Sequence, residues 1–473
     1  MNKHILLALV SLGLFAQAQP VEQKTPVIKP IGAIVPPKPH GLGLKDGDRF
    51  IFIGDSITHQ CLYTQFVENF YYTRHPEMRI HFRNAGISGD RAQDALNRFD
   101  EDIAAFKPTV ATVLLGMNDG SYKDFDMDTF KTYEKGMTEL LDKLDAIHCR
   151  VILMSPTMFD HQSFEQMVKE NPERGKNKTP TNYNGVLAYY GKWAQEVARQ
   201  RGYQYVDLFG PLNTLTVQGR KDDPDFTLIK DAIHPGADGQ LIMAYSLLTQ
   251  TGETGGVLGT GVRLVKGEWK PLSPIVTDIK GEPGKAVSYT VKQSALPWAE
   301  FQDAPLGTKL ARSGHTAGQE SHIVVGLQSG RYDLKINGQT VGTFDEKMLG
   351  VHAEIEEMAT SPTVQQALQV FAMNKERNDK AVHPLRNLWG KQKGMFNKKN
   401  DPASKEAYDQ WQVEFKAQRE VLEKLALEYE DNIYAANKIT PLKVEVVPAA
   451  LPTAPAKPQA KPQAEKKPLK KAA

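Results

Sequence analysis

Ser56 stands in the triplet Gly54-Asp55-Ser56, directly behind the apolar run Phe50-Ile51-Phe52-Ile53 and ahead of a segment that can wind into a helix. A serine at a strand-to-helix turn shows its hydroxyl at the end of the sheet, and its own N–H points to where negative charge would develop. Three further segments hold groups that could work with it. Asp231-Ala232-Ile233-His234-Pro235 offers a base, His234, with a carboxylate three residues earlier to hold the other ring nitrogen. Asn84-Ala85-Gly86-Ile87-Ser88-Gly89-Asp90 is a glycine-rich turn with a backbone N–H to present, and Gly116-Met117-Asn118-Asp119 adds a side-chain amide. Acyl transfer requires a nucleophile, a base, a group that fixes the tautomer of the base, and donors for an oxyanion. The set supplies each: Ser56, His234 and Asp231, then the N–H groups of Ser56 and Gly89 and the Asn118 amide. Gly86 competes with Gly89 as donor, and Gly89 is preferred because it is expected to open the next helix. Asp55 reads as a residue that bonds the turn, and His59, one helical turn past Ser56, is a candidate contact for the substrate.

These four segments must meet, so each has to lie at the same edge of one sheet. Residues 50–53, 79–83, 109–115, 150–154 and 203–207 are the strand candidates, and between them apolar residues recur at three and four. Ala92, Ala95, Leu96, Phe99 and Ile103 form one such stripe; Phe130, Tyr133, Met137, Leu140 and Leu144 form another. Strand and helix alternating in this way specify a parallel α/β sheet covered on both faces, with ligand loops at the carboxyl ends of the strands. The segment 156–183, polar and broken by Asn171-Pro172-Glu173-Arg174-Gly175, is too long for an ordinary connection and reads as a wall or lid of the site, or else a surface excursion.

The organisation predicted for the 473 residues is a signal peptide at 1–18, a proline-rich arm at 19–44, the α/β domain at 45–252, a small β-rich unit at 253–345, a mainly helical region at 346–447 and a disordered Pro/Ala/Lys tail at 448–473. Lys3, the apolar stretch to Phe15 and Ala16-Gln17-Ala18 have the layout of an export signal with a small-residue cleavage site. No cysteine lies near that site, which argues against a lipoprotein, and no later run has the ~20 apolar residues of a membrane span. The destination expected is the periplasm or the medium. In the β-rich unit Tyr332, Leu334 and Ile336 alternate before Asn337-Gly338, a hairpin signal. In the helical region Trp411, Phe415, Gln418, Leu422, Leu425 and Tyr429 form a stripe, for which Val364, Leu368 and Phe371 are the expected partners.

The net charge of +2 conceals a body acidic by about four charges, because the tail carries six lysines against Glu465 and the leader carries Lys3. That balance excludes an ordinary nucleic-acid binder. The two cysteines, Cys61 and Cys149, fall at opposite ends of the strands, a separation of ~17 Å that no disulfide spans, so two free thiols are predicted. The twelve histidines show no pair at ligand spacing with a carboxylate or cysteine, and phosphate-cradling glycine motifs are absent, so no metal and no cofactor are expected.

Through Gly54-Asp55-Ser56, Gly89, Gly116-x-Asn118-Asp119 and Asp231-x-x-His234-Pro235, in this order, residues 45–252 resemble the SGNH (GDSL-type) hydrolase superfamily. The resemblance implies a flavodoxin-like three-layer α/β/α sandwich, with Ser56, Gly89, Asn118 and His234 as the four named positions and Asp231 as third member of the triad. Ile57-Thr58-His59 follows the serine where the lipase-like branch commonly has leucine, a departure that points to the branch rich in carbohydrate esterases. Residues 253–447 resemble the accessory region of some exported bacterial members. The implied activity is that of an exported serine esterase removing acetyl or other short acyl groups from carbohydrate, such as a sialate or another glycan O-acetylesterase. The rival readings are a lysophospholipase, thioesterase or arylesterase of the same superfamily, and a catalytically inert glycan-binding protein.

Overall fold

Residues 50–53 are apolar at every position, a pattern that suits a strand buried on both faces rather than one. In the computed structural model they form β1 (Arg49–Gly54), buried from residue 50 onward. The structure describes residues 41–450 except 177, 179–180, 255–257, 299–301, 397 and 399–402. The predicted signal peptide, most of the proline-rich arm and all but the first residues of the basic tail lie outside the described residues.

With β1 stand β2 (His81–Gly86), β3 (Val110–Leu114), β4 (Arg150–Met154) and β5 (Gln204–Val206), in the order β2-β1-β3-β4-β5. All four pairings are parallel. This is the doubly wound order, whose crossovers bring the loops after β1, β2 and β3 to one edge. The strand predicted at 79–83 lies further along. The Tyr434 hydroxyl engages both Ile80 N–H (2.7 Å) and Ile80 C=O, which takes that residue out of the ladder. At the other end the ladder continues to Gly54 opposite Gly86.

Helices α1 (Ser56–His59), α2 (Leu62–Arg74), α3 (Ala92–Asn97), α4 (Met127–Ala146), α5 (His161–Glu170), α6 (Tyr183–Arg201), α7 (Phe209–Asp222) and α8 (Ala237–Gln250) connect and cover the strands. Helix α2 packs on α8 and α3 on α4. The stripe Phe130, Tyr133, Met137, Leu140 and Leu144 is buried on α4 as its spacing requires. Cys61 and Cys149 are both free and buried.

Beyond residue 252 come β6 (Leu258–Val265), β7 (Glu268–Pro271), β8 (Val276–Lys280), β9 (Val287–Val291), α9 (Pro305–Ala311), α10 (Ser313–Ala317), β10 (Glu320–Val325), β11 (Arg331–Ile336), β12 (Gln339–Asp345), α11 (Glu346–Val351) and β13 (Ala353–Glu354). Then follow α12 (Pro362–Arg377), α13 (His383–Phe396), α14 (Lys405–Ala436) and β14 (Leu442–Pro448). Two sheets result, β13-β10-β6-β7 and β12-β11-β14-β9-β8. The predicted hairpin joins β11 to β12 through Asn337 and Gly338, both at positive φ, as a type I′ turn demands. Strand β14, placed by the sequence reading at the end of the helical region, pairs instead with β11 and β9, so helices α12–α14 are inserted within the β-rich unit.

The expected pairing is present, since α12 packs on α14, and both helices reach further partners. Phe415, with Trp411 and Leu422, packs on Leu385, Leu388 and Trp389 of α13, whereas Val364 and Phe371 join the core of the α/β region. Helices α12–α14 thereby cover β2, the edge strand of the main sheet. Arg377 donates to Phe82 C=O (2.9 Å), Arg83 pairs with Glu423, and His81 Nδ1 meets Glu430 at 2.6 Å. An edge strand left open would present unpaired backbone groups to other chains.

Candidate active site

Strand β1 ends at Gly54, and Asp55 caps α1 by accepting the Ile57 N–H at 2.9 Å. Burial pushes the Asp55 carboxyl up to about 7, against the pull of that N–H. Asp55 is thus a turn-bonding group, as expected from its place before the serine. Ser56 opens α1 with its side chain partly exposed, and among the described residues no group accepts its N–H.

The turn carrying Asp231 and His234 precedes α8. Ala232 lies at φ +72°, a left-handed conformation that costs any residue with a Cβ roughly 1–2 kcal/mol. It is held there by Asp160 N–H to Ala232 C=O (2.9 Å) and Ala232 N–H to Ile229 C=O (3.0 Å). The kink brings both side chains to one side. His234 Nδ1 meets Asp231 Oδ2 at 2.7 Å and His234 Nε2 meets Ser56 Oγ at 2.7 Å. Asp231 Oδ1 also accepts the backbone N–H groups of Ile233 (3.0 Å) and His234 (2.7 Å). Burial alone would raise the Asp231 carboxyl; the His234 side chain and these two N–H groups outweigh it and bring the group down to about 2. It is therefore ionised at any working pH, and the arrangement can draw a proton from Ser56.

The excursion at 156–183 supports this turn from behind. The Asp160 carboxylate is gripped by Arg220 Nη2 at 2.8 and 2.7 Å and by the Thr227 hydroxyl at 2.5 Å, while its N–H holds Ala232. The segment contains α5 rather than a long structureless loop.

The oxyanion donors follow β2 and β3. Gly86 has no room for a side chain: a Cβ there would lie 2.4 Å from His59 N and 2.7 Å from Thr58 C. Ile87 N–H donates to Gly54 C=O at 3.1 Å, so the turn after β2 lies against the end of β1. The Gly86 N–H is taken by Asn84 Oδ1 at 2.8 Å, which removes it as a donor to anything else. Gly89 does not open a helix as expected, since α3 begins at Ala92, whose N–H is bound by Asp119 Oδ1 at 2.9 Å. Gly89 sits instead in an exposed turn at φ +72°, and no described residue accepts its N–H. The Asn118 Nδ2 donates one hydrogen to Asp90 C=O (3.1 Å), and its Oδ1 accepts from the Tyr122 hydroxyl (2.9 Å), which leaves the second Nδ2 hydrogen for a ligand.

His59 requires a correction. It is buried, and both ring nitrogens are engaged by the protein. Nδ1 accepts the Ser88 N–H at 3.1 Å, with the Ser88 hydroxyl also at 3.1 Å, and Nε2 faces Asn387 Oδ1 at 3.1 Å. An N–H can only donate, so Nδ1 is unprotonated and the ring hydrogen sits on Nε2. Burial, then His383 and Arg386, push the ring pKa down to about 4. The ring is thus a neutral bridge rather than a contact for the substrate. Asn387, Arg220, Asp160 and Tyr122 also serve the site, and nothing in their spacing along the chain marks them.

Spacing likewise did not reveal the group His315, Glu354 and Glu356, whose donor atoms lie within 4.8 Å of one another on α10, on β13 and just after it. Glu354 is already shared by His315 (2.7 Å) and His352 (3.1 Å), and Lys309 and Arg312 line the same cavity. Glu354 is thus bound to two histidine rings, one of them within the cluster itself.

Residues 52–242 match the GDSL-like Lipase/Acylhydrolase family. An acetylxylan esterase of Geobacillus stearothermophilus is 24% identical over 229 residues, which are 44% of this chain and 94% of that enzyme. A solved structure of a gut microbial diltiazem-metabolizing enzyme is similar at a TM-score of 0.72 and 25% identity, over 86% of this chain and 98% of that one. The family match lies within the α/β region, and the likeness to the diltiazem-metabolizing enzyme, over 86% of the chain, extends through much of the accessory part.

Proposed function

Since the chain carries an SGNH hydrolase domain of the GDSL-like lipase/acylhydrolase family, and is an esterase by that likeness, we propose that it is an exported serine esterase that removes acetyl groups from carbohydrate. The observation that carries the reaction type is the unbroken line from Ser56 Oγ to His234 Nε2 and from His234 Nδ1 to Asp231 Oδ2, 2.7 Å at each contact. Ser56 Oγ attacks the ester carbonyl carbon while its proton passes to His234 Nε2. Asp231 holds the ring in the tautomer that can accept, and stabilises the imidazolium. The carbonyl oxygen, now charged, takes hydrogen bonds from the N–H groups of Ser56 and Gly89 and from the free Asn118 hydrogen. The tetrahedral species collapses, the sugar oxygen leaves with the proton from Nε2, and water repeats the sequence on the acyl-enzyme. Carbohydrate as the acyl carrier is supported by the acetylxylan esterase relative, and export by the leader-like residues 1–18.

A second reading, hydrolysis of small aryl or drug-like esters, is favoured by the structural relative described as metabolizing diltiazem, because that likeness spans the accessory region as well. One experiment separates the two: release of acetate from acetylated xylan, pectin and sialoglycans beside aryl acetates and diltiazem, with Ser56→Ala as the blank. Turnover of glycans above the aryl esters supports the first reading. Turnover that survives in Ser56→Ala overturns both.

A further inference from the structure

We propose that helix α13 of the accessory region is a positioning element for the turn at residues 87–90, holding the Gly89 N–H where an oxyanion would form. The proposal rests on the serine-esterase reading and adds to it a role for residues far outside the α/β domain.

Gly89 has no side chain, adopts a positive φ and lies in the exposed part of the turn. Its N–H can be aimed only by what fixes its neighbours, and every neighbour is tied to α13. The Ile87 side chain is fully buried in a cluster with Leu385, Leu388 and Trp389 of α13 and Phe415 of α14. Ser88 N–H is held by His59 Nδ1, and His59 is held in turn through its Nε2 hydrogen by Asn387 Oδ1 of α13. Asp90 is wholly buried: Arg98 grips its Oδ2 from Nε (3.0 Å) and Nη2 (2.8 Å), and Lys393 of α13 reaches its Oδ1 at 2.9 Å. The Asp90 carbonyl also accepts from Asn118 Nδ2, so Asp90 links the two side-chain and backbone donors of the site.

A fourth tie lies one layer below. Arg386 of α13, completely buried, donates to Asp102 Oδ2 at 2.8 Å and Oδ1 at 3.0 Å, and Asp102 shares Oδ2 with Arg98 Nη1 at 2.6 Å. An alternating chain of charges thus runs from Arg386 through Asp102, Arg98 and Asp90 to Lys393. Without α13 the His59 N–H would lose its acceptor and Asp90 and Asp102 would each lose a cation, losses that the turn could answer by moving. The oxyanion turn is therefore not finished by residues 45–252.

Asn387, His59 and Lys393 act through the turn and not on substrate, so the test must report on the oxyanion itself. Hydrogen-bond donors stabilise a developing O⁻ far better than an S⁻. The ratio of turnover for an aryl acetate to that for its thionoacetate (C=S) reads the quality of the hole and cancels any change in the amount of folded enzyme. Asn387→Leu and Lys393→Met are expected to lower this ratio about tenfold, with KM little changed, part of the ~10²–10³-fold cost of losing one such donor outright. Asn387→Asp, which keeps an oxygen in place for the Nε2 hydrogen, should restore most of it. Hydrogen exchange of the peptide covering residues 86–91 needs no turnover and should quicken in both disabling variants. Wild-type turnover that Ser56→Ala abolishes, with a ratio and exchange unchanged in Asn387→Leu and Lys393→Met, would overturn the proposal while leaving the esterase reading intact. Absence of Ser56-dependent turnover would end that reading, and the exchange measurement would still decide the role of α13.

Discussion

Replacing Asp231 by asparagine should damage the enzyme more than replacing it by alanine, although it disturbs the fold less. The reason lies in how the carboxylate is used. Its Oδ1 accepts two backbone N–H groups, at 3.0 and 2.7 Å, and its Oδ2 faces His234 Nδ1 at 2.7 Å. In Asp231→Asn the two N–H groups select the amide oxygen for the first position, so the amide NH2 must face Nδ1. Nδ1 then accepts, the ring hydrogen moves to Nε2, and no lone pair is left to take the Ser56 proton. Both substitutions forfeit the charge-assisted bond to the imidazolium, about 1.5–3 kcal/mol. The asparagine variant must also break its new bond to Nδ1, about 1–1.5 kcal/mol more. At 1.36 kcal/mol per decade, kcat on an aryl acetate should fall roughly 10- to 150-fold in Asp231→Ala and about a further tenfold in Asp231→Asn. Melting temperatures should run the other way, since alanine leaves two N–H groups without an acceptor. The assay is steady-state turnover of both variants at neutral pH beside their thermal melts. An asparagine variant that retains more activity than the alanine variant would refute the tautomer argument.

Two further substitutions follow from packing and burial. Gly86→Ala places a Cβ 2.4 Å from the His59 backbone nitrogen, which can yield only by shifting α1. A loss of about 1–3 kcal/mol in denaturant unfolding is expected, together with a drop in kcat, and wild-type values for both would show that the close approach is not needed. His322 is buried with Nδ1 facing the Tyr289 hydroxyl at 3.0 Å and Thr260 Oγ1 at 3.3 Å, and burial pushes its pKa down to about 4. Between the ordinary value near 6.5 and that lowered one, the unfolded chain takes a proton that the folded one refuses, so stability falls as the pH drops through this window. The full effect is on the order of 3 kcal/mol. His322→Gln should flatten the stability profile between pH 6.5 and 4 by that order; Asp55 and Glu320, raised to about 7 by burial and opposite in slope, are present in both proteins and cancel. An unchanged profile would mean that His322 is not held neutral.

What could be read from the chain was whatever short-range pattern dictates. The fully apolar run 50–53 required a strand buried on both faces, the spacing of the α4 stripe required one buried helical face, and Asn337-Gly338 required a hairpin. The Asp231–His234 contact was legible because three residues in one turn can bring two side chains together. The limits of β2 were not legible, because Ile80 is withdrawn from the ladder by Tyr434, 354 positions away. His59 was misplaced for the same reason: its position after Ser56 fits a ligand contact, and only Asn387, 328 residues on, shows that its second nitrogen is occupied. Strand β14 was assigned to the helical region because Leu442-Lys443-Val444-Glu445-Val446 alternates too briefly to announce which sheet it joins.

These long-range errors share a location, and the location has a physical meaning. Ile80 and His59 are both set by the inserted helices, Ile80 by Tyr434 of α14 and His59 by Asn387 of α13. A doubly wound sheet must protect its edge strands, and here three helices inserted between β12 and β14 cover β2 with Arg377, Glu423, Glu430 and Tyr434. The turn at 87–90 is the direct continuation of that strand. Whatever grips β2 therefore also sets where the turn begins, and α13 reaches past the strand to Ile87, His59 and Asp90. Covering an edge and aiming a backbone donor are separate physical needs, but at this edge they fall on consecutive residues. A change in α13 that loosens the edge should then reach the active site before it unfolds the sheet, with exchange rising first at 86–91 and only later in β1.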